Sequence, residues 1–222
     1  MIEDLLQINF FSLFFAQILI EGFLMKGFIF LFILFAFESG AAFTSQRNDV
    51  MGGVVLQTNN GTPWGKWGEA RFCPASTFAI GFSLKVEGHQ SEDDDTAVNN
   101  IKLVCGDYSI FEFEGDSRSS WGSYGQNSYC PNNSFIKGFA LKVEKDQPLG
   151  HDDTAVNDMK VFCGNNYEEV GSTNGQRFGS FGSNAYCPGY SSICGFSLKS
   201  EEPQGMADDT AVNDVAFYCC HH

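Results

Sequence analysis

Pairs of adjacent aspartates recur three times along the chain, and each pair precedes the residues Thr-Ala-Val-Asn. The pairs are Asp94 and Asp95, Asp152 and Asp153, and Asp208 and Asp209. A strand-like segment before each pair ends in a glutamate, at Glu87, Glu144 and Glu201. Paired carboxylates are what glycosidic chemistry needs, because one acts as an acid while protonated and the other as a nucleophile or base while ionised.

The same aspartates also have a structural interpretation. An aspartate that precedes a threonine in a turn accepts hydrogen bonds from nearby backbone amides. Three equivalent copies favour this turn-capping role, since an active site seldom needs three copies of itself. We therefore interpret the six aspartates as structural turn carboxylates and predict no catalytic residue among them.

Aromatic residues in glycine-rich stretches are a second candidate for ligand binding. Trp64 and Trp67 lie in Trp-Gly-Lys-Trp-Gly, and Trp121 and Tyr124 lie in Trp-Gly-Ser-Tyr-Gly. A third stretch, residues 178–182, has phenylalanine at both aromatic positions. Such rings either stack on sugar rings as glycan contacts, or fill a core and cover a sheet edge. The sequence leaves both interpretations open.

All eight cysteines follow residue 42, and their even number predicts four disulfides formed in an oxidising compartment. Separations of 32, 33 and 32 residues predict one bond in each third of the chain, and the two remaining cysteines then pair with each other. The predicted pairs are Cys73–Cys105, Cys130–Cys163, Cys187–Cys219 and Cys194–Cys220. An exchange of partners between Cys219 and Cys220 stays open. No Cys-x-x-Cys pair occurs, so we expect neither a metal nor another cofactor.

These motifs are parts of a longer internal repeat with a period of about 57 residues. Five landmarks occur in the same order three times: the glycine-rich aromatic stretch, Cys-Pro, a Gly-Phe-Ser-Leu-Lys-Val-Glu segment or a close variant, Asp-Asp-Thr-Ala-Val-Asn, and a final cysteine. The repeats cover about residues 50–106, 107–164 and 165–220.

Apolar and polar residues alternate with period two inside each repeat, as in the run Phe82, Leu84 and Val86, which is typical of half-buried strands. Each repeat therefore predicts about four short strands and one sheet. A four-stranded sheet cannot bury its apolar face alone. We predict an all-β fold, a β-prism of three four-stranded sheets with pseudo-threefold symmetry, with Phe82, Phe139 and Phe196 at equivalent interior positions. A β-sandwich is the alternative.

The first 42 residues differ from the rest by their apolar composition. Residues 25–42 have the features of a signal peptide: a positive charge at Lys26, the apolar run Gly27–Phe37, and small residues before a predicted cleavage point after Ala42. This interpretation predicts secretion to the extracellular space, with no membrane attachment after processing.

Residues 1–24 then form a further N-terminal extension, and residues 43–222 form a single β-prism domain. The alternative is one long membrane anchor over residues 5–37. Glu21 and Lys26 lie inside that stretch and would be costly in lipid, which disfavours the anchor.

The charge balance narrows the range of partners. The chain has 27 acidic and 13 basic residues and a net charge of −14. Removal of residues 1–42 takes away four acids and one base, which leaves 23 acids, 12 bases and a net charge of −11. Such a chain does not attract nucleic acid or an anionic membrane by long-range charge, whereas basic proteins are favoured.

The Trp-Gly, Cys-Pro, Gly-Phe-Ser-Leu-Lys-Val-Glu and Asp-Asp-Thr-Ala-Val-Asn motifs, with the terminal Phe-Tyr-Cys-Cys, resemble the vitelline membrane outer layer protein 1 family over about Val50 to Cys220. The resemblance implies a β-prism of three Greek-key sheets and an extracellular, egg-coat-like structural role. It also implies a weak transferase activity on N-acetylglucosamine oligomers.

We therefore expect a secreted structural or glycan-binding component of an extracellular coat or matrix, whose partners are extracellular glycans or basic coat proteins. The alternative hypothesis is a weak glycan-transferring enzyme that acts on N-acetylglucosamine oligomers. A carboxylate pair about 5–5.5 Å apart in a pocket, with one member shifted toward protonation, would favour the enzyme.

Overall fold

A computed structural model of the chain describes residues 50–88, 96–106, 110–145, 155–202 and 211–222. The chain divides into two compact units, Met1–Phe43 and Thr44–His222, and all described residues belong to the second. Within them the chain forms short and long β-strands and one 3-10 turn at Pro131–Asn133. No helix in this part of the chain is long and apolar enough to cross a membrane.

Strands of similar length recur in the same order along the chain, in step with the sequence repeat. They are β1 Val50–Leu56, β2 Lys66–Trp67, β3 Arg71–Phe72, β4 Phe78–Val86, β5 Val98–Gly106, β6 Phe111–Glu114, β7 Ser123–Tyr124, β8 Ser128–Tyr129, β9 Ile136–Val143, β10 Val156–Cys163, β11 Glu168–Gly171, β12 Ser180–Phe181, β13 Ala185–Tyr186, β14 Ser191–Ser200 and β15 Val212–His221.

Three antiparallel sheets share one design, in which two long strands form a central hairpin. The hairpins are β4–β5 in the first sheet, β9–β10 in the second and β14–β15 in the third. A third strand pairs with one side of each hairpin: β6 with β5, β11 with β10, and β1 with β15. On the other side, two two-residue strands pair with the same long strand, so each sheet is four strands wide: β7 and β8 with β4, β12 and β13 with β9, and β2 and β3 with β14.

Each sheet combines two consecutive repeats, whereas the repeat pattern suggested one sheet per repeat. The hairpin comes from one repeat and the short strands come from the next. The third sheet takes β1, β2 and β3 from the first repeat, so the chain closes on itself. The reason is that a hairpin alone leaves unpaired edges, and the segment that follows it along the chain pairs with those edges before it crosses to the next sheet.

The apolar faces of the three sheets meet in one core. Phe82, Phe139 and Phe196 occupy equivalent positions on β4, β9 and β14 and are fully buried, which confirms the predicted interior positions. The Phe217 ring of β15 lies 4.6 Å from the Phe139 ring and 5.7 Å from the Phe196 ring, measured between centroids. The predicted β-prism is confirmed, and the β-sandwich is excluded.

Three disulfides join neighbouring sheets, and the fourth lies inside one sheet. Cys73, Cys130 and Cys187 each follow a two-residue strand, and their partners lie on the long strand of the next sheet. The inter-sheet bonds are Cys73–Cys105, Cys130–Cys163 and Cys187–Cys219. Cys194–Cys220 joins β14 to β15 within the third sheet. These are the pairs that the spacing predicted, without the exchange between Cys219 and Cys220.

Candidate functional site

The three strand glutamates lie at one end of the prism, which we call the glutamate end. Each follows the last residue of β4, β9 or β14, and its backbone N–H donates to an alanine carbonyl of the Thr-Ala-Val-Asn motif. The N···O distances are 2.9 Å for Glu87 to Ala97, 2.8 Å for Glu144 to Ala155, and 2.9 Å for Glu201 to Ala211. The backbone thus holds one glutamate per sheet at equivalent positions.

The Trp-Gly turns lie at the same end because their glycines pack against the strand ends. Gly65, Gly122 and Gly179 have φ values of +77°, +77° and +74°. A Cβ atom on Gly122 would lie 2.4 Å from the carbonyl carbon of Val86, so only glycine fits there. The residue before each glycine is therefore held next to a strand glutamate.

The exposed rings at this end belong to the first two repeats. Trp64 and Trp121 are 50% and 54% exposed, and Phe178 at the third position is half-buried. The Trp64 turn lies at the end of β14 beside Glu201, and the Trp121 turn lies at the end of β4 beside Glu87. Two of the four predicted glycan contacts thus share the glutamate end.

The other two predicted contacts lie on the outer sheet faces. Trp67 of β2 pairs with Lys199, and Tyr124 of β7 pairs with Lys85, and directly opposed residues share a face. Trp67 is exposed. The Tyr124 hydroxyl is buried without a hydrogen-bond partner in the described part of the chain. Burial and the nearby Glu114 carboxylate raise the pKa of Tyr124.

The lysine of the Gly-Phe-Ser-Leu-Lys-Val-Glu segment positions the aromatic turns, a role that the sequence analysis missed. Lys85 Nζ donates to the Ser120 carbonyl at 2.7 Å, directly before Trp121. Lys199 Nζ donates to the Pro63 carbonyl at 2.7 Å, directly before Trp64. The sequence signal that could have indicated this role is the lysine that recurs at the same position of the repeated strand segment, as Lys85, Lys142 and Lys199.

The Asp-Asp pairs lie outside the described residues, so their turn-capping role stays a prediction. The part of the motif that the structure describes forms a buried polar network. Thr96 Oγ1 donates to Glu87 Oε2 at 2.5 Å, and Asn99 Nδ2 donates to Thr96 Oγ1 at 2.8 Å. Asn99, Asn157 and Asn213 are fully buried, which gives the asparagine of the motif a structural role.

A cleft of about 250 Å³ opens at the glutamate end between the third and first sheets. It is lined by Gly65, Lys66, Arg118, Ser200, Glu201 and Glu202. Arg118 lies between β6 and β7, and its guanidinium pairs with the Glu202 carboxylate at 2.5 Å. The Arg118 backbone N–H donates to Ser200 Oγ at 3.1 Å. The cleft thus combines charged groups of both signs next to the Trp64 turn.

Comparison with known proteins identifies the family. The family model of vitelline membrane outer layer protein I matches residues 54–222. The chain belongs to the vitelline membrane outer layer protein I family. Its relatives include the human vitelline membrane outer layer protein 1 homolog, 36% identical over 188 residues that cover 80% of this chain and 89% of the relative. The mouse homolog is 39% identical over 172 residues, which cover 75% and 83% of the two chains.

Solved structures place this member of the family among β-prism proteins. Calystegia sepium agglutinin superimposes with a TM-score of 0.50 at 10% sequence identity, over 76% of this chain and 97% of the agglutinin. The Calsepa lectin in complex with a biantennary N-glycan gives the same TM-score, identity and coverage. At this identity the likeness concerns the fold.

Proposed function

We propose that this protein is a secreted glycan-binding component of an extracellular coat and that the glutamate end holds the glycan. The observation that carries the proposal is the pair of exposed indoles of Trp64 and Trp121, each held by a positive-φ glycine beside a strand glutamate. Membership of a family named after the outer layer of the vitelline membrane supports the coat role, and a lectin of similar fold in complex with an N-glycan supports a sugar ligand.

The chemistry of the glutamate end suits a neutral sugar. An indole offers a flat apolar surface with a polar edge, and the apolar face of a sugar ring packs on such a surface. Carboxylates accept hydrogen bonds from sugar hydroxyls, and Arg118 and Lys66 donate to them. The cleft supplies the carboxylates and the cations, and the Trp64 turn next to it supplies the indole, so we place the main sugar subsite there.

Secretion is part of the proposal. Four disulfides are typical of proteins from an oxidising compartment, and the predicted cleavage after Ala42 would release residues 43–222. N-terminal sequencing of protein from the culture medium should find Phe43 at or near the first position. Detection of residues 1–24 on that material would contradict this part of the proposal.

A glycan array tests the binding itself. We expect the wild-type protein to bind a defined set of neutral oligosaccharides, and Trp64→Ala and Trp121→Ala to weaken that binding at least about tenfold, the loss expected when one stacked ring contributes about 1.4 kcal/mol. Tyr129→Ala is the matched control, because Tyr129 is comparably exposed but lies on an outer sheet face. Equal losses in all three variants, or no binding by the wild type, would refute the proposal.

A further inference from the structure

Each of the three sheets has a bulge near the end opposite the glutamates. The pairing register shifts by one residue in β4, β9 and β14, which leaves Ile80, Lys137 and Cys194 as the bulged residues. A bulge redirects the side chain of the extra residue. Each bulged strand pairs with the second long strand of its sheet, in which a disulfide-bonded cysteine is followed by one further residue next to the bulge. These following residues are Gly106, Gly164 and Cys220.

Two of these equivalent sites are filled, and one is open. In the first sheet the Ile80 side chain occupies the space above Gly106, where a Cβ atom would overlap it. In the third sheet the Cys194–Cys220 disulfide fills the corresponding space. In the second sheet Lys137 and Gly164 line a cleft of about 340 Å³. The second sheet therefore has a cation where its equivalents have an aliphatic chain or a disulfide.

Lys137 is unusual because it is only 7% exposed. No carboxylate among the described residues lies within 4.0 Å of its ammonium group, whereas Lys102, Arg118 and Lys160 all form ion pairs. The Lys137 side chain is largely covered, and its ammonium group has no carboxylate partner among these residues, so an anion in the cleft would form a charge-assisted hydrogen bond with it. This observation points to a ligand that carries negative charge.

Aromatic and polar groups line the same cleft or pack against its lining. The His222 ring lies 4.4 Å from the Phe78 ring and 5.3 Å from the Phe135 ring, measured between centroids. His222 Nε2 lies 2.8 Å from Ser192 Oγ. Burial and the positive charge of Lys137 lower the pKa of His222, so the imidazole is neutral at neutral pH. The Tyr190 ring is 87% exposed and lines the same cleft.

We propose that this cleft binds the carboxylate or sulfate group of an acidic sugar, with Lys137 as the counter-ion and the Tyr190 ring as the surface for the sugar. An acidic sugar fits better than a free small anion, because the cleft combines one cation with an exposed aromatic ring. The proposal depends on the proposed glycan-binding function only for the choice of a sugar as the carrier of the charge. The site is separate from the glutamate end, since β9 runs from Lys137 to the residue before Glu144, about 23 Å at the usual rise per strand residue.

The test compares three disaccharides on the purified protein with its disulfides intact: a neutral one, its uronic-acid counterpart and its sulfated counterpart. We expect the two anionic forms to bind in this cleft and Lys137→Met to weaken them at least tenfold. Binding of the neutral disaccharide at the glutamate end should be unchanged. Lys160→Met is the matched control, because Lys160 lies in the same sheet but is ion-paired with Glu169 at the surface. It should leave anion binding unchanged.

Two further measurements keep the proposal open to refutation. Tyr190→Ala changes an exposed side chain, so the variant should fold, and it should weaken the anionic disaccharides by at least about threefold. Bound anion should raise the pKa of His222, which NMR titration of the imidazole measures. Equal losses in Lys137→Met and Lys160→Met, a loss of neutral-disaccharide binding in Lys137→Met as large as the loss of the anionic forms, or tighter binding of a peptide carboxylate would overturn it. Failure of the proposal for the glutamate end would appear separately: neither Trp64→Ala nor Trp121→Ala would then weaken the binding of neutral sugars.

Discussion

One position after the repeated asparagine shows how a single residue is reused in the three repeats. It is Asn100 in the first repeat, Asp158 in the second and Asp214 in the third. In each case the side-chain Oδ1 accepts from the N–H of the next residue, at 2.8, 2.7 and 2.8 Å. Burial raises the pKa of Asp214, although the Val215 N–H and the charge of Lys199 act in the opposite direction. The negative charge of Asp214 is therefore unfavourable in the folded protein. The side-chain amide of Asn100 accepts the equivalent backbone hydrogen bond without a charge.

Asp214→Asn should stabilise the protein at pH 7. The folded pKa of Asp214 lies above the unfolded value, so the wild-type protein loses stability as the pH rises through the folded pKa, and the amide avoids this loss. We expect an increase in melting temperature of up to about 3 °C, the shift that about 1 kcal/mol gives in a domain of this size. The difference should shrink as the pH falls from the raised pKa toward 3.8, the usual value.

Asn100→Asp is the reverse change and the control for this prediction. Asn100 Nδ2 donates to the Gly115 carbonyl at 3.2 Å, and a carboxylate at this position would repel that carbonyl. The variant should melt below the wild type at pH 7. An Asp214→Asn protein that melts below the wild type at every pH would contradict the assignment.

The aspartates Asp95, Asp153 and Asp209 support a second prediction at this scale. If they cap turns, alanine at each position should cost a similar amount, about 1.5–3 kcal/mol for a hydrogen bond to an ionised acceptor. Melting curves of the three single variants, measured beside a chito-oligosaccharide transfer assay, give the answer. One variant that is inactive but stable, with the other two nearly silent, would instead favour the glycan-transferring enzyme.

At the scale of the elements, the glycine of each aromatic turn allows the turn to pack against the end of a long strand, which positions the aromatic residue before it. Gly122→Ala should cost about 2 kcal/mol or more, because alanine at φ +77° is strained and its Cβ would meet the Val86 carbonyl. Gly171→Ala is the control, since a Cβ atom there would have no neighbour within 4 Å. Denaturant unfolding of both variants measures the difference. Equal stabilities would show that the turn does not depend on glycine.

The long strands were predictable from the sequence, and the short ones were not. A run such as Phe82 to Val86 is long enough to show period two, whereas Lys66–Trp67 is too short to show any period. The sheet to which a two-residue strand belongs depends on which edge is unpaired nearby, and that information is non-local. For this reason the shared motif did not predict that Trp64 and Trp67, three residues apart, lie at different surfaces.

The candidate sites were predictable to different degrees. The exposed tryptophans lie in a visible motif, and the cysteine spacing predicted the disulfide pairs, with only the partner choice of Cys219 and Cys220 left open. The cleft around Lys137 had no sequence signal, because it depends on a one-residue register shift and on the absence of bulk at Gly164. Bulges change the direction of a side chain without changing the alternation that identifies a strand.

For the whole molecule, the disulfides that join the sheets should matter more than the one inside the third sheet. Cys73→Ser with Cys105→Ser should cost about 3–4 kcal/mol, because the unfolded chain loses a 32-residue loop constraint. Cys194→Ile with Cys220→Gly should cost less, because it recreates the pair found in the first sheet, and the apolar side chain offsets part of the lost cross-link. Chemical denaturation of both double variants tests the order, and the reverse order would contradict it.

The exchange of short strands between consecutive repeats also has an evolutionary consequence. No sheet is complete within a single repeat. A separate peptide of about 57 residues could therefore complete its sheet only if its short strands paired with the hairpin of a second copy and its own hairpin paired with the short strands of a third. A ring of three identical peptides, each donating its short strands to the next, would therefore have the same strand pairings. Gene triplication and fusion would convert that ring into one chain without changing any pairing. The pairing of β1, β2 and β3 with the last hairpin is the place where such a ring would be open in a single chain.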